Sequence, residues 1–137
     1  MRPLAALHAV TASLLVVGLV IQVFLAGLGV FDEPTFFLTH RDTGYLLELW
    51  ALVVLVVAAI ARAGRAQVGR SALVFGLFLL QSVFVGLRDS APAVAALHPV
   101  NGFLIVLVSI VIARDAWRLA RATNAGREAP TSMATTA

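Results

Sequence analysis

The chain has no cysteine and no lysine. Without thiols, disulfides, zinc–thiolate sites, iron–sulfur clusters and cysteine catalysis are excluded, and nothing marks the redox compartment. All ten basic residues are arginine, which with the abundant Ala and Val carries the imprint of a GC-rich bacterial genome. Charge is scarce as well. Only 12% of the 137 residues are charged, against roughly a quarter in ordinary soluble domains. The hydrophobic share is 61% and the mean hydropathy +0.97, which leaves more apolar side chains than one soluble core can hide. A soluble domain is therefore excluded, and the composition is that of a polytopic membrane protein.

The few charges divide the chain into four apolar runs, residues 4–30, 44–61, 71–87 and 93–113. A bilayer core of about 30 Å takes about 20 residues of helix, so each run is long enough to span it. None alternates lipid-facing and lumen-facing residues as a membrane barrel requires. The fold class expected is an all-α membrane protein, a four-transmembrane-helix up-down-up-down bundle occupying residues 1–121. Residues 122–137, rich in Ala, Thr, Gly, Ser and Pro, are expected to form a disordered cytoplasmic tail. Arg2, Arg62, Arg65, Arg70, Arg114, Arg118, Arg121 and Arg127 fall on one side of such a bundle, and only Arg41 and Arg88 on the other. That asymmetry puts both termini in the cytoplasm of a bacterial inner membrane, with the lipid bilayer as first partner. It also explains the high isoelectric point without invoking nucleic acid.

The two halves repeat one another. Gln22-Val-Phe-Leu-Ala-Gly27 on the first helix matches Gln81-Ser-Val-Phe-Val-Gly86 on the third, 59 residues on. His40-Arg-Asp-Thr-Gly44 at the start of the second matches His98-Pro-Val-Asn-Gly102 at the start of the fourth, 58 residues on. Gln and His are scarce here, so the register is informative. It implies a pseudo-two-fold axis along the membrane normal.

In this connectivity the second and fourth helices are diagonal, so His40 and His98 can face each other at matching depth. Gly44 and Gly102 lie one turn deeper on the same faces and are expected to leave space beneath the imidazoles. Gly27 and Gly86 would clear the flanks. Two facing histidines with small residues between them describe a bis-histidine haem site, with haem b as cofactor. Arg41 and Arg88 at the outer rim are candidates for the haem propionates, or for pairing with Asp42 and Asp89. Zinc, which takes three or four ligands, is a poorer match. His8, near Arg2, reads as interfacial. Glu48, inside the second span, marks a functional position or a polar tie between helices. Its expected hydrogen-bond donors are Gln81 or Asn101, while Gln22 and Gln81 read as interhelical hydrogen-bonding residues or supports of the histidines.

With these residues in place, the pattern resembles one four-helix half of the haem A synthase family. The matching positions are Gln22 and Gly27 on the first helix, His40 on the second and His98 on the fourth. The family has two such bundles and this chain one, so its oxygenation chemistry would require a homodimer or a membrane-protein partner. The chain is also similar to small four-helix integral membrane proteins of GC-rich bacteria. Pro99, directly after His98, allows two geometries: a helix that starts at Pro99 with His98 as cap, or one that starts near Pro92 and kinks. No catalytic cluster is recognisable. The competing functional readings are a bis-histidine haem protein for electron transfer or haem handling, with a redox partner, and a membrane scaffold or accessory subunit without cofactor. A proton-conducting protein, resting on Glu48 alone, is the third.

Overall fold

The computed structural model describes residues 2–125. All regular structure among them is helical: α1 (Arg2–Phe31), α2 (Phe36–Ile60), α3 (Arg65–Gly86), a single turn α4 (Pro92–Ala95), and α5 (His98–Ala125). Four of these helices are long and apolar enough to cross a membrane. Lipid supplies no hydrogen bonds to backbone, so runs of this apolarity close their backbone bonds internally as helix. At 1.5 Å per residue, α1 with 30 residues and α5 with 28 are each over 40 Å long. Both outrun a bilayer core of about 30 Å. α5 carries Arg114, Arg118 and Arg121 on its last turns and runs to Ala125, four residues past the end expected at Arg121. The rest of the expected tail, 126–137, lies outside the described residues.

The bundle is cyclic in chain order. α1 packs on α2 and α5, and α3 packs on the same two, which leaves α1–α3 and α2–α5 as the diagonals. The buried positions follow the sequence repeat. On α1, His8, Ala12, Leu15 and Leu19 are buried, and 59 residues later on α3 so are Gln67, Ser71, Val74 and Phe78. On α2, Ala51, Val54 and Ala58 are buried, and 58 residues later on α5 so are Ser109, Ile112 and Ala116. The internal two-fold is thus a property of the core and extends well beyond the motif. Its interior is rich in Ala and Ser, the residues that let helix backbones approach in a membrane. Many large apolar side chains point outward, Val20 at 62% exposure and Phe24 at 63% among them, an apolar surface suited to a lipid bilayer.

Two connections fix the ends. α2 closes in a Schellman turn, with Arg62 N–H bonded to Ala59 O at 3.1 Å and Ala63 N–H to Ala58 O at 3.0 Å. Arg62 takes the left-handed conformation there (φ 52°), and Gly64 follows at φ 91°. At the other end α4 forms one turn beginning with Pro92, and α5 then starts afresh at His98. The first bond of α5 runs from Asn101 N–H to Leu97 O at 2.9 Å. Pro99 therefore lies inside the first turn, where its missing N–H costs nothing. Neither expected geometry holds as stated: Pro92 opens a separate single turn, and the helix proper starts at His98 itself, with Leu97 in the cap position and Pro99 second in the helix.

Candidate functional site

The end of the bundle where α1 and α3 finish is built from one hydrogen-bonding unit used twice. In the first half, Gln22 on α1 reaches α2, where its Nε2 donates to His40 O at 2.8 Å. The Thr43 hydroxyl lies 2.7 Å from Gln22 Oε1 and 2.7 Å from Thr39 O; its single proton serves one at a time. In the second half, Gln81 on α3 reaches α5, and its Nε2 donates to His98 O at 3.0 Å. Asn101, the repeat mate of Thr43, supplies two amide protons, one to Gln81 Oε1 and one to Leu77 O at 2.8 Å. In each half a glutamine thus holds the backbone of a histidine from the neighbouring helix.

The glycines of the motif make room for these glutamines. A Cβ on Gly44 would stand 2.8 Å from Gln22 Nε2, and one on Gly102 would stand 3.3 Å from Gln81 Nε2. The faces expected to be empty beneath the histidines are therefore filled by carboxamides. Open space lies instead at Gly27 and Gly86, where an added Cβ would meet nothing within 4 Å. These two follow Gln22 and Gln81 by five residues, so the open flanks are outward of the histidines rather than inward.

The histidines themselves meet across the diagonal. The rings of His40 and His98 have their centroids 6.3 Å apart, inclined at 64°. His40 Nδ1 lies 3.0 Å from Gln22 O. A carbonyl can only accept, so the proton is on Nδ1 and the Nε2 lone pair is free. That is the tautomer a metal-binding histidine uses, with Nδ1–H donating to a carbonyl. His98 differs: its Nδ1 is shielded from solvent and has no hydrogen-bond partner. The rings meet edge to face across the diagonal, so His40 and His98 are the two side chains that would hold a metal at this end.

The remaining candidates fall elsewhere. Arg41 pairs with Asp42 at 2.8 Å and Arg88 with Asp89 at 3.4 Å, both exposed at the rim. Glu48 accepts from Ser82 Oγ at 3.0 Å, not from Gln81 or Asn101, because it faces the α2–α3 seam rather than the bundle axis. His8 is 1% exposed and lies inside the bundle rather than at the interface. Its Nε2 is 3.4 Å from the amide of Gln67, which also donates to Ile112 O at 3.0 Å. Gln67 is the repeat mate of His8, so extending the 59-residue offset toward the N-terminus finds the pair; nothing in the sequence reading singled out Gln67. Arg70 on α3 and Asp115 on α5, 2.9 Å apart, close the same end. Among the described residues no three metal-binding side chains cluster. Two histidines alone are too few for a zinc site.

Over residues 22–87 the chain is similar to a family whose description reads "family of unknown function (DUF6220)". The match takes in Gln22, His40, Gly44, Glu48 and Gln81 and stops short of His98, covering just under half of the chain. No curated protein matches, and no solved structure does.

Proposed function

We propose that this is a four-pass protein of the bacterial cytoplasmic membrane, with both termini inside, that binds b-type haem between His40 and His98 for electron transfer or haem handling. The location rests on the four apolar helices and on the crowding of arginine at the end of the bundle where α1 begins and α5 finishes. The haem reading is carried by one observation, two histidine rings 6.3 Å apart on diagonal helices.

Features of the surroundings support that reading. Gln22 O fixes the tautomer and orientation of His40, and the unsatisfied polarity of the His98 ring fits a ligand not yet locked by its own surroundings. Gly27 and Gly86 leave the flanks of α1 and α3 open. Arg41 and Arg88 are the cations at the rim, and each would have to exchange its neighbouring aspartate for a propionate. Haem held this way supplies one-electron chemistry. If both histidines held the haem iron, no open site would remain for oxygen, and a redox partner rather than an oxygen substrate would be implied. Oxygenation of the haem A synthase kind would need a second bundle, from another copy or another membrane protein.

The test is colour. Protein produced with haem available and purified in detergent should show a Soret band and split visible bands on reduction. His40→Ala or His98→Ala should abolish the six-coordinate spectrum. Protein that stays colourless after haem supplementation overturns the reading and favours a scaffold or accessory subunit that uses the same bundle without cofactor.

A further inference from the structure

At the opposite end of the molecule we infer a binding site for a phosphate-bearing anion, in the cleft between the first turns of α3 and the last turns of α5. It is independent of the histidine pair. The cleft is an open groove of about 440 Å³, with Arg70, Arg118 and Asp115 as its charged lining and Ala66, Leu119 and Ala122 among its apolar walls. Asp115, whose side chain is 22% exposed, has three guanidinium groups around it: Arg70 at 2.9 Å, Arg114 at 3.3 Å and Arg118 at 3.4 Å. One carboxylate neutralises one of them, so two positive charges remain at a single point.

The outer rim is different, for there Arg41 has Asp42 and Arg88 has Asp89, one acid to each cation. Among the described side chains, the α2–α3 loop and the adjoining turns of α3 and α5 carry Arg62, Arg65, Arg70, Arg114, Arg118 and Arg121 against Asp115 alone. The surplus is therefore local to this end. A guanidinium offers five N–H donors. Arg118 contacts Asp115 through Nη1 alone, and Arg70 uses Nη1 alone for Asp115 and Gln67. Donors remain in the planar, bidentate geometry that suits phosphate oxygens. Cationic donors beside an apolar wall match the polar–apolar boundary of an anionic phospholipid, and the same donors would take free inorganic phosphate. Basic pockets between helices on the cytoplasmic side are the usual place for such headgroups.

Full-length protein in neutral detergent, titrated with short-chain phosphatidylglycerol and followed by native mass spectrometry, tests the site. One saturable adduct is expected, with phosphatidylcholine at least tenfold weaker. Arg118→Gln should weaken it about fivefold, the worth of one arginine near an anionic headgroup, and the Arg118 side chain is 67% exposed, so the fold does not depend on it. Arg121→Gln, the same charge change outside the cleft, should leave the adduct within twofold of wild type. Inorganic phosphate in excess separates the two sources: failure to displace the lipid assigns the site to a headgroup, and displacement with its own saturable binding assigns it to free phosphate. Equal weakening by Arg118→Gln and Arg121→Gln, equal binding of the zwitterionic lipid, or no saturable binding of either anion overturns the inference.

Discussion

Gln22 and His40 hold each other at two points across the α1–α2 seam: the glutamine Nε2 donates to His40 O at 2.8 Å, and His40 Nδ1 donates to Gln22 O at 3.0 Å. One bond comes from a side chain to a backbone and the other from a side chain back again. Side-chain substitution can therefore separate them. Gln22→Leu removes the first bond and the Thr43 contact but leaves the carbonyl that orients the imidazole. Interhelical hydrogen bonds inside membranes are worth about 0.6 kcal/mol on average and up to about 1.7. The variant should lose about 1–2 kcal/mol in detergent unfolding while keeping the spectrum of any haem-loaded form. A loss of the six-coordinate spectrum at unchanged stability would show that the side chain, not the carbonyl, sets the ring.

Gly44 and Gly102 provide an internal control, since they are repeat mates that face the same amide at different distances. At Gly44 a methyl group would sit 2.8 Å from Gln22 Nε2, closer than non-bonded atoms settle, whereas at Gly102 the corresponding distance is 3.3 Å. Overpacking of the first kind costs about 1–3 kcal/mol. Alanine's helix preference over glycine, about 1 kcal/mol, applies to both: it covers the small displacement at Gly102 and only part of the overpacking at Gly44. Gly44→Ala should lower the melting temperature clearly, and Gly102→Ala should stay within about 1 kcal/mol of the wild type by the offset just given. Equal effects would mean that the glutamines move aside freely in both halves.

The two histidines differ in what lies behind their rings. His40 has a carbonyl behind its Nδ1, whereas the Nδ1 of His98 is unpartnered. Outer partners of this kind are worth about 10–100-fold in metal affinity. In haem-supplemented protein, His98→Ala should retain a five-coordinate chromophore on His40, while His40→Ala should hold haem about tenfold or more weakly, the low end of that range. Titration of haem into the two variants measures the difference. Identical affinities would contradict the assignment of His40 as the anchored ligand.

How far all this could be read from the chain depends on which helix face was in question. The helix count, the diagonal relation of α2 and α5 and the meeting of His40 with His98 followed from charge placement and from the repeat of Gln22/Gln81 and His40/His98. Rotation about the helix axis did not follow. A helix that is apolar on every side carries no stripe to say which face is inside, so Glu48 was turned toward the axis when it belongs to the seam with Ser82. His8 was placed by its nearness to Arg2, yet the helix buries it against α3. The glycine faces were read as voids because a glycine says only that something approaches. That the approaching group is a glutamine from the neighbouring helix is visible once the helices are set side by side.

The turn between α2 and α3 makes a prediction independent of any cofactor. Arg62 holds φ at 52° in the position of a Schellman turn that glycine usually fills. Left-handed geometry costs a residue with a Cβ about 1–2 kcal/mol. Arg62→Gly should therefore raise the melting temperature in detergent, and the gain should be of that order less the entropy that glycine adds to the unfolded chain. Because the substitution also removes a positive charge from an arginine-rich end, Arg62→Asn serves as the charge-matched comparison; asparagine tolerates the left-handed region better than most residues. It should fall between the two. Two residues on, Gly64 sits at φ 91°, and Gly64→Ala should destabilise, since no relief of unfolded-state entropy offsets a native conformation the new side chain resists. Thermal unfolding of the three variants side by side decides the matter: a stabilised Gly64→Ala, or an Arg62→Gly no more stable than the wild type, would show that this turn relaxes to an ordinary right-handed geometry in the membrane-free protein.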